Sequence, residues 1–146
     1  MSNEHGEQVT FQETRQVEQG DFATAGQIAA SFKNTLKKLG VASPVIRRIA
    51  IASYEAEINL AIHSWGGTMR LIIYPDRVRL LVDDVGPGIE NIDLAMQEGY
   101  STASEEVRML GFGAGMGMPN MKRCADAFKI ESVLGKGTSI SMDFNL

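Results

Sequence analysis

Three short stretches, met in a fixed order, limit what this chain can fold into. Glu55-Ala56-Glu57-Ile58-Asn59 with His63 comes first, Asp83-Asp84-Val85-Gly86-Pro87-Gly88 follows, and Gly111, Gly113, Gly115 and Gly117 come last. Residues four apart stack on one helix face, so Glu55, Asn59 and His63 form a single ridge. Two glycines around a proline at a strand end mark a place where the backbone turns tightly and lies close to something. Alternating glycines ahead of a helix start leave free amides where the helix dipole favours an anion. A helix ridge, a strand end and a glycine loop ahead of a further helix require both helices and a sheet, layered on one another.

The remaining pattern supplies those layers. Residues 1–7 are polar and expected to form a flexible tail, with residues 8–146 as one domain of ordinary size. Alternation over 8–17 predicts an edge strand. Asp21 is placed to cap a helix over 21–39, with Phe22, Ala25, Ile28, Phe32 and Leu36 on one face and Gly40 as its stop. Ser43-Pro44 opens a second helix whose apolar stripe, Ile49, Ala52, Ala56 and Leu60, runs down to Gly66-Gly67. Residues 68–74 and 78–82 read as a hairpin about Pro75-Asp76-Arg77. A short helix over 92–96, a glycine-punctuated connection over 99–117, a helix over 121–128 and a last hairpin around Gly135-Lys136-Gly137 (129–133 and 138–144) complete the chain. The expected class is α/β, an α+β two-layer sandwich with a mixed, mainly antiparallel sheet and helices on one face.

Composition narrows the functions open to such a fold. Apolar residues make up 44% and charged residues 22% of the 146 positions, the profile of a globular protein and not of a disordered one. A net charge of -4 and a pI near 5.2 give no electrostatic support for a nucleic-acid or acidic-membrane role. One cysteine, Cys124, cannot form an internal disulfide or a metal cluster, and no signal peptide or membrane span is expected. A cytoplasmic protein with a small ligand or a protein partner fits these terms.

Each stretch has a chemistry of its own and a plainer alternative. Asn59 offers a neutral carbonyl oxygen suited to Mg²⁺, and Glu55, one turn earlier, is placed to act as a general base. The alternative makes Glu55 and His63 solvated helix residues and Asn59 a tolerated polar position. Asp84 can accept a hydrogen bond from the exocyclic amine of adenine, or it can simply cap a backbone amide at the turn. Asp83 points to the other sheet face by alternation. The glycines form either a phosphate cradle or a ligand-free loop, and they match neither GxxxxGK[ST] nor GxGxxG. Met109, Met116, Met118 and Met121 read as core filler, Lys122-Arg123 as a solvated helix face, and Cys124 as a buried apolar side chain.

In this order the three stretches resemble the N box and two glycine boxes of the Bergerat-fold (GHKL, HATPase_c) ATPases. Gly99-Tyr100-Ser101-Thr102, Gly115-Met116-Gly117-Met118-Pro119 and Met121-Lys122-Arg123 make residues 10–146 similar to the bacterial anti-sigma and switch serine/threonine kinases, above all their RsbT branch. Residues 103–110 lengthen the lid segment relative to that branch. The resemblance implies a protein serine/threonine kinase that uses ATP and Mg²⁺ to phosphorylate a STAS-domain partner. In it Glu55 would be the base and Asn59 the Mg²⁺ ligand, while Asp84 would read adenine with Thr138 beside it. Gly86, Gly88, Gly113, Gly115 and Gly117 would surround the nucleotide, and Ser101 and Thr102 would lie near the lid. It also allows an alternative, a nucleotide-dependent binding module that sequesters a sigma factor or another regulator, as a monomer or a homodimer. With His5 and His63 as the only histidines, a histidine kinase with its phosphoacceptor helices is not expected, nor is a gyrase-type transducer.

Overall fold

The computed structural model describes residues 8–21, 23–97 and 117–146. The expected tail over 1–7, Phe22, and the roles expected of Ser101, Thr102, Gly111, Gly113, Gly115, Met109 and Met116 lie outside them. The elements are β1 (Phe11–Val17), α1 (Gln27–Lys38), α2 (Ser43–His63), β2 (Gly67–Ile73), β3 (Arg77–Asp84), α3 (Ile92–Ala95), α4 (Gly117–Cys124), β4 (Ala127–Val133) and β5 (Gly137–Asn145).

The described strands form one sheet in the order β1-β2-β3-β5-β4, and every pairing in it is antiparallel. Register aligns the inward side chains into rows. Leu71 faces Leu80 and Leu80 faces Met142, while Met69 faces Val82, which faces Ile140. Strand alternation puts these residues on one face, and helix periodicity puts Phe32 and Leu36 of α1, Ile49 and Leu60 of α2, and Met121 of α4 opposite them. All of these side chains are buried. Each such side chain withdrawn from water contributes roughly 1.5–3 kcal/mol before entropy is counted. Met121 is core filler as expected, and Met118 and Cys124 pack partly against the same cluster.

Helix ends show where tertiary contacts override local signals. Pro44 sits in the first turn of α2, and Gly40, at φ 78°, ends α1 with Val41 N–H bonded to Leu36 O and Gly40 N–H to Lys37 O. The start of α1 differs from the expected one. Asp21 spends its carboxylate on the Thr24 amide and hydroxyl, so the chain makes a turn there and the helix begins at Gln27. Its first free amides, Ile28 and Ala29, instead donate to the carboxylate of Glu57, reaching across from α2 at 3.2 and 3.1 Å. Glu57 is only 4% exposed, so these bonds and the helix dipole compensate a buried charge. The helix expected over 121–128 also shifts, to Gly117–Cys124. Arg48 donates to Cys124 O and to Asp126, and Asp126 N–H bonds Asp143 O, which releases Ala127 and Phe128 to pair in β4.

The edge strand β1 is tied to α1 through Glu13, which accepts from Ser31, Thr35 and Arg15. Burial pushes its carboxyl up, but those hydrogen bonds and the guanidinium outweigh burial and hold it below the usual 4.5. Because the folded-state value lies below the unfolded one, the carboxylate adds stability above about pH 4.5, and that stability is lost as pH falls through the folded value. Glu13→Gln is therefore expected to melt below the wild type at neutral pH, with the gap closing in acid. Thermal melts across that range check it, and a gap independent of pH would contradict it.

Candidate functional site

At one end of the sheet the inward rows change from apolar to polar. Val82, Ile140 and Ile130 make the last apolar row; two residues on, the same face carries Asp84, Thr138 and Ser132. The change of chemistry on a helix-covered face is what makes this end a site. Asp84 Oδ1 accepts from the Thr138 amide at 2.8 Å. The capping alternative for Asp84 thus holds for one oxygen, while Oδ2 bonds no described residue. Ser132 Oγ accepts from Ile89 N–H at 2.7 Å and lies 2.8 Å from Thr138 Oγ1.

The two glycine turns expected at separate places in the chain are latched to each other here. Gly86 N–H bonds Lys136 O, and Gly135 N–H bonds Pro87 O. Gly88, at φ 79°, has no room for a side chain, since a Cβ would lie 2.6 Å from Val133 O. Gly137, at φ 152°, is pressed against the Asp84 carbonyl and carboxylate. Gly86 is buried, its missing Cβ 3.3 Å from Ser64 Cα, so the C-terminal end of α2 closes directly on this turn. Ser64 itself donates to Leu60 O and accepts from Gly66 N–H, which ends the helix at that point.

From there the polar ridge runs back along α2 on the helix side of the sheet, the side that Asp84 faces. Glu55, Asn59 and His63 are all partly buried. Gly117, the first residue of α4, meets this ridge: a Cβ there would lie 3.1 Å from both Nδ2 and Oδ1 of Asn59 and 3.3 Å from Glu55 Oε2. The N-terminus of an eight-residue helix is therefore docked on the Glu55–Asn59 pair. Glu55 and Asn59 are thus partly covered by α4 and are not bare helix surface.

Partial burial sets the electrostatics. It pushes the carboxyl groups of Glu55 and Asp84 up from their usual values, against the opposing effect of a hydrogen bond from Asn120 to Glu55 and of the Thr138 amide to Asp84. His63 is pushed down by the same cause. Carboxylates short of solvation accept protons and hydrogen bonds more readily than free ones. No three His, Cys, Asp or Glu side chains converge on a metal position among the described residues. A hard cation at Asn59 would therefore be completed by phosphate oxygens and water, the usual manner for Mg²⁺.

The structure brings together Glu55, Asn59 and Gly117 in one cluster and Asp84, Gly86, Gly88 and Thr138 in another, joined through the end of α2. Sequence reasoning missed Ser132 and Asn120. Ser132 falls in phase with Phe128 and Ile130, and a polar residue on that inward face was the available signal. Asn120 carried none, because its role comes from which way α4 docks.

Residues 30–146 match the family described as histidine kinase-, DNA gyrase B-, and HSP90-like ATPase. The chain is 32% identical over 124 residues to the serine/threonine-protein kinase RsbT of Bacillus subtilis, across 82% of this chain and 85% of that one. It is 36% identical over 107 residues to the anti-sigma F factor of Caldanaerobacter subterraneus, across 68% and 71%. To the anti-sigma F factor of Clostridium acetobutylicum it is 32% identical over 124 residues, across 82% and 78%.

Gly137→Ala is expected to destabilise the fold by roughly 1–3 kcal/mol through overpacking against Asp84, with backbone strain in addition. Urea unfolding checks it, and an unchanged midpoint would mean that the Asp84 corner is looser than described.

Proposed function

The chain belongs to the histidine kinase-, DNA gyrase B-, and HSP90-like ATPases and, within them, to the bacterial anti-sigma and switch kinases, and from that premise we propose that it is an ATP-binding protein serine/threonine kinase acting on a STAS-domain partner. The observation that carries this reading is the docking of the α4 N-terminus on Glu55 and Asn59, on the face of the sheet that Asp84 also faces. On this reading the base of a purine triphosphate would lie at Asp84 and its phosphates toward the Glu55–Asn59 ridge.

Asp84 would accept the adenine amino group on Oδ2 while the Thr138 amide holds Oδ1 in place. Gly86 and Gly88 keep the backbone close to the base by excluding side chains. Asn59 would hold Mg²⁺ jointly with phosphate oxygens, and the free amides of α4 from Gly117 onward would face the phosphates. ATP with Mg²⁺ supplies the transferable phosphoryl group and the charge neutralisation its transfer needs. Glu55 would receive the proton of the attacking serine or threonine hydroxyl, a role favoured by its raised basicity. Ser101, Thr102, Gly113 and Gly115 take their nucleotide-binding roles from the family pattern alone. A kinase of this kind works in the cytoplasm.

The likeness to anti-sigma F factors favours a second reading, a nucleotide-dependent binding module that holds a sigma factor or other regulator without phosphorylating it. Incubation with Mg²⁺-ATP and STAS-domain proteins separates the two. The kinase reading expects phosphate on a serine or threonine of the partner, lowered about 10²-fold or more in Glu55→Ala. ATP binding without transfer to any such partner would favour the binding module.

Asp84→Asn retains an oxygen for the Thr138 amide but turns a donor toward the adenine amine. ATP affinity is expected to fall about 10-fold or more, as for a lost charge-assisted bond and an unpaired donor. Since Asp84 has a raised folded-state pKa, its ionised form weakens the apoprotein at neutral pH, so this variant should melt no lower than the wild type without nucleotide. Calorimetric titration with ATP, beside melting curves, reads both. Unchanged affinity would remove Asp84 from the adenine role.

A further inference from the structure

Ser132, on β4, ties three segments together at the polar end of the sheet. Its Oγ accepts at 2.7 Å from the amide of Ile89, which follows the Gly86–Gly88 turn, and lies 2.8 Å from Thr138 Oγ1 and 3.3 Å from Gly137 O on β5. The single hydroxyl hydrogen of Ser132 thus has two places to go. An O–H···O bond of 2.8 Å has the favoured length, whereas 3.3 Å lies beyond the ordinary range, so the hydrogen goes to Thr138. The Ile89 amide reinforces that choice, since a hydroxyl that accepts a hydrogen bond becomes a stronger donor. With Ser132 donating, Thr138 Oγ1 accepts, and its own hydrogen meets no acceptor among the described residues.

The polar row therefore ends with two unspent groups on adjacent strands, an acceptor at Asp84 Oδ2 and a donor at the Thr138 hydroxyl. Thr138 is only 7% exposed, so leaving that donor unpaired is costly. Resting on the nucleotide-binding reading above, we propose that Ser132 is a specificity-determining residue that, by donating to Thr138, sets the site to accept adenine and refuse guanine. Adenine presents its amino donor beside the N1 acceptor, which answers Asp84 and Thr138 in turn. Guanine presents a carbonyl acceptor beside an N1–H donor, so that acceptor would meet acceptor and donor would meet donor. Without Ser132 the Thr138 hydroxyl turns freely and can give a hydrogen bond or take one, and half of that refusal is lost.

Titration calorimetry with ATP, GTP and 1-deaza-ATP, in which C–H replaces N1, tests this. The wild type is expected to bind 1-deaza-ATP about 10-fold more weakly than ATP, because the Thr138 donor loses its acceptor in a closed site. In Ser132→Ala the ratio of the GTP Kd to the ATP Kd is expected to fall about 5-fold or more, and the 1-deaza-ATP penalty to shrink. Ser132→Thr, which restores a hydroxyl, should bring the ratio back toward the wild-type value. A serine that only held the Ile89 turn in place would weaken ATP and GTP by the same factor. An unchanged ratio in Ser132→Ala overturns the proposal, and so does a wild type that binds 1-deaza-ATP as well as ATP, a comparison for which no variant has to fold. In both of those outcomes ATP still binds. A wild type that binds none of the three nucleotides sinks the nucleotide-binding reading itself, and this inference with it.

Discussion

The phase of one helix governs the rest of the molecule. α2 has to bury Ile49, Ala52, Ala56 and Leu60 against the sheet, and with 3.6 residues per turn that requirement fixes where every other side chain on it points. Glu55, Asn59 and His63 are thereby held along one flank, and Glu57 is turned toward α1 to cap its first amides. A single apolar stripe thus positions both a polar ridge and a buried carboxylate. Rotating the stripe by one residue would misplace both.

The sheet contributes the complementary half by ending its apolar rows in polar residues. Asp84, Thr138 and Ser132 stand on a face where only a few residues earlier everything is hydrocarbon, and the interlocked turns at Gly86–Gly88 and Gly135–Gly137 hold them without side chains in the way. Desolvation at Asp84 and Glu55 costs the empty protein some stability. The same desolvation makes each a better acceptor of a proton or a hydrogen bond.

Much of this was legible in the residues because it depends on local rules. Ser43-Pro44 opens α2, Gly40 closes α1, and strand alternation identifies both hairpins and the inward face that Asp84 shares. What escaped depends on contacts between distant segments. Asp21 has every mark of a helix cap and does bond the Thr24 amide, yet the helix begins only at Gln27, where its first amides are met by Glu57, which lies far along the chain and carries no sign of that role. The end of α4 was misplaced because Arg48 and Asp126 break the helix and β5 recruits Ala127 and Phe128, a competition that helix periodicity cannot register. In the site, Asp84 and the Glu55–Asn59 spacing stood out as chemistry, whereas Ser132 and Asn120 became visible only once strand register and helix docking were fixed.

The proposed kinase activity requires a single nucleotide lying between the α2 ridge and the polar end of the sheet. A crystal structure with Mg²⁺ and a non-hydrolysable ATP analogue tests this most directly. The expected density has the adenine amine on Asp84 Oδ2, the metal on the Asn59 carbonyl and the terminal phosphate toward the Glu55 end of the ridge. An analogue bound elsewhere, or an adenine with Asp84 turned away from it, would contradict the account.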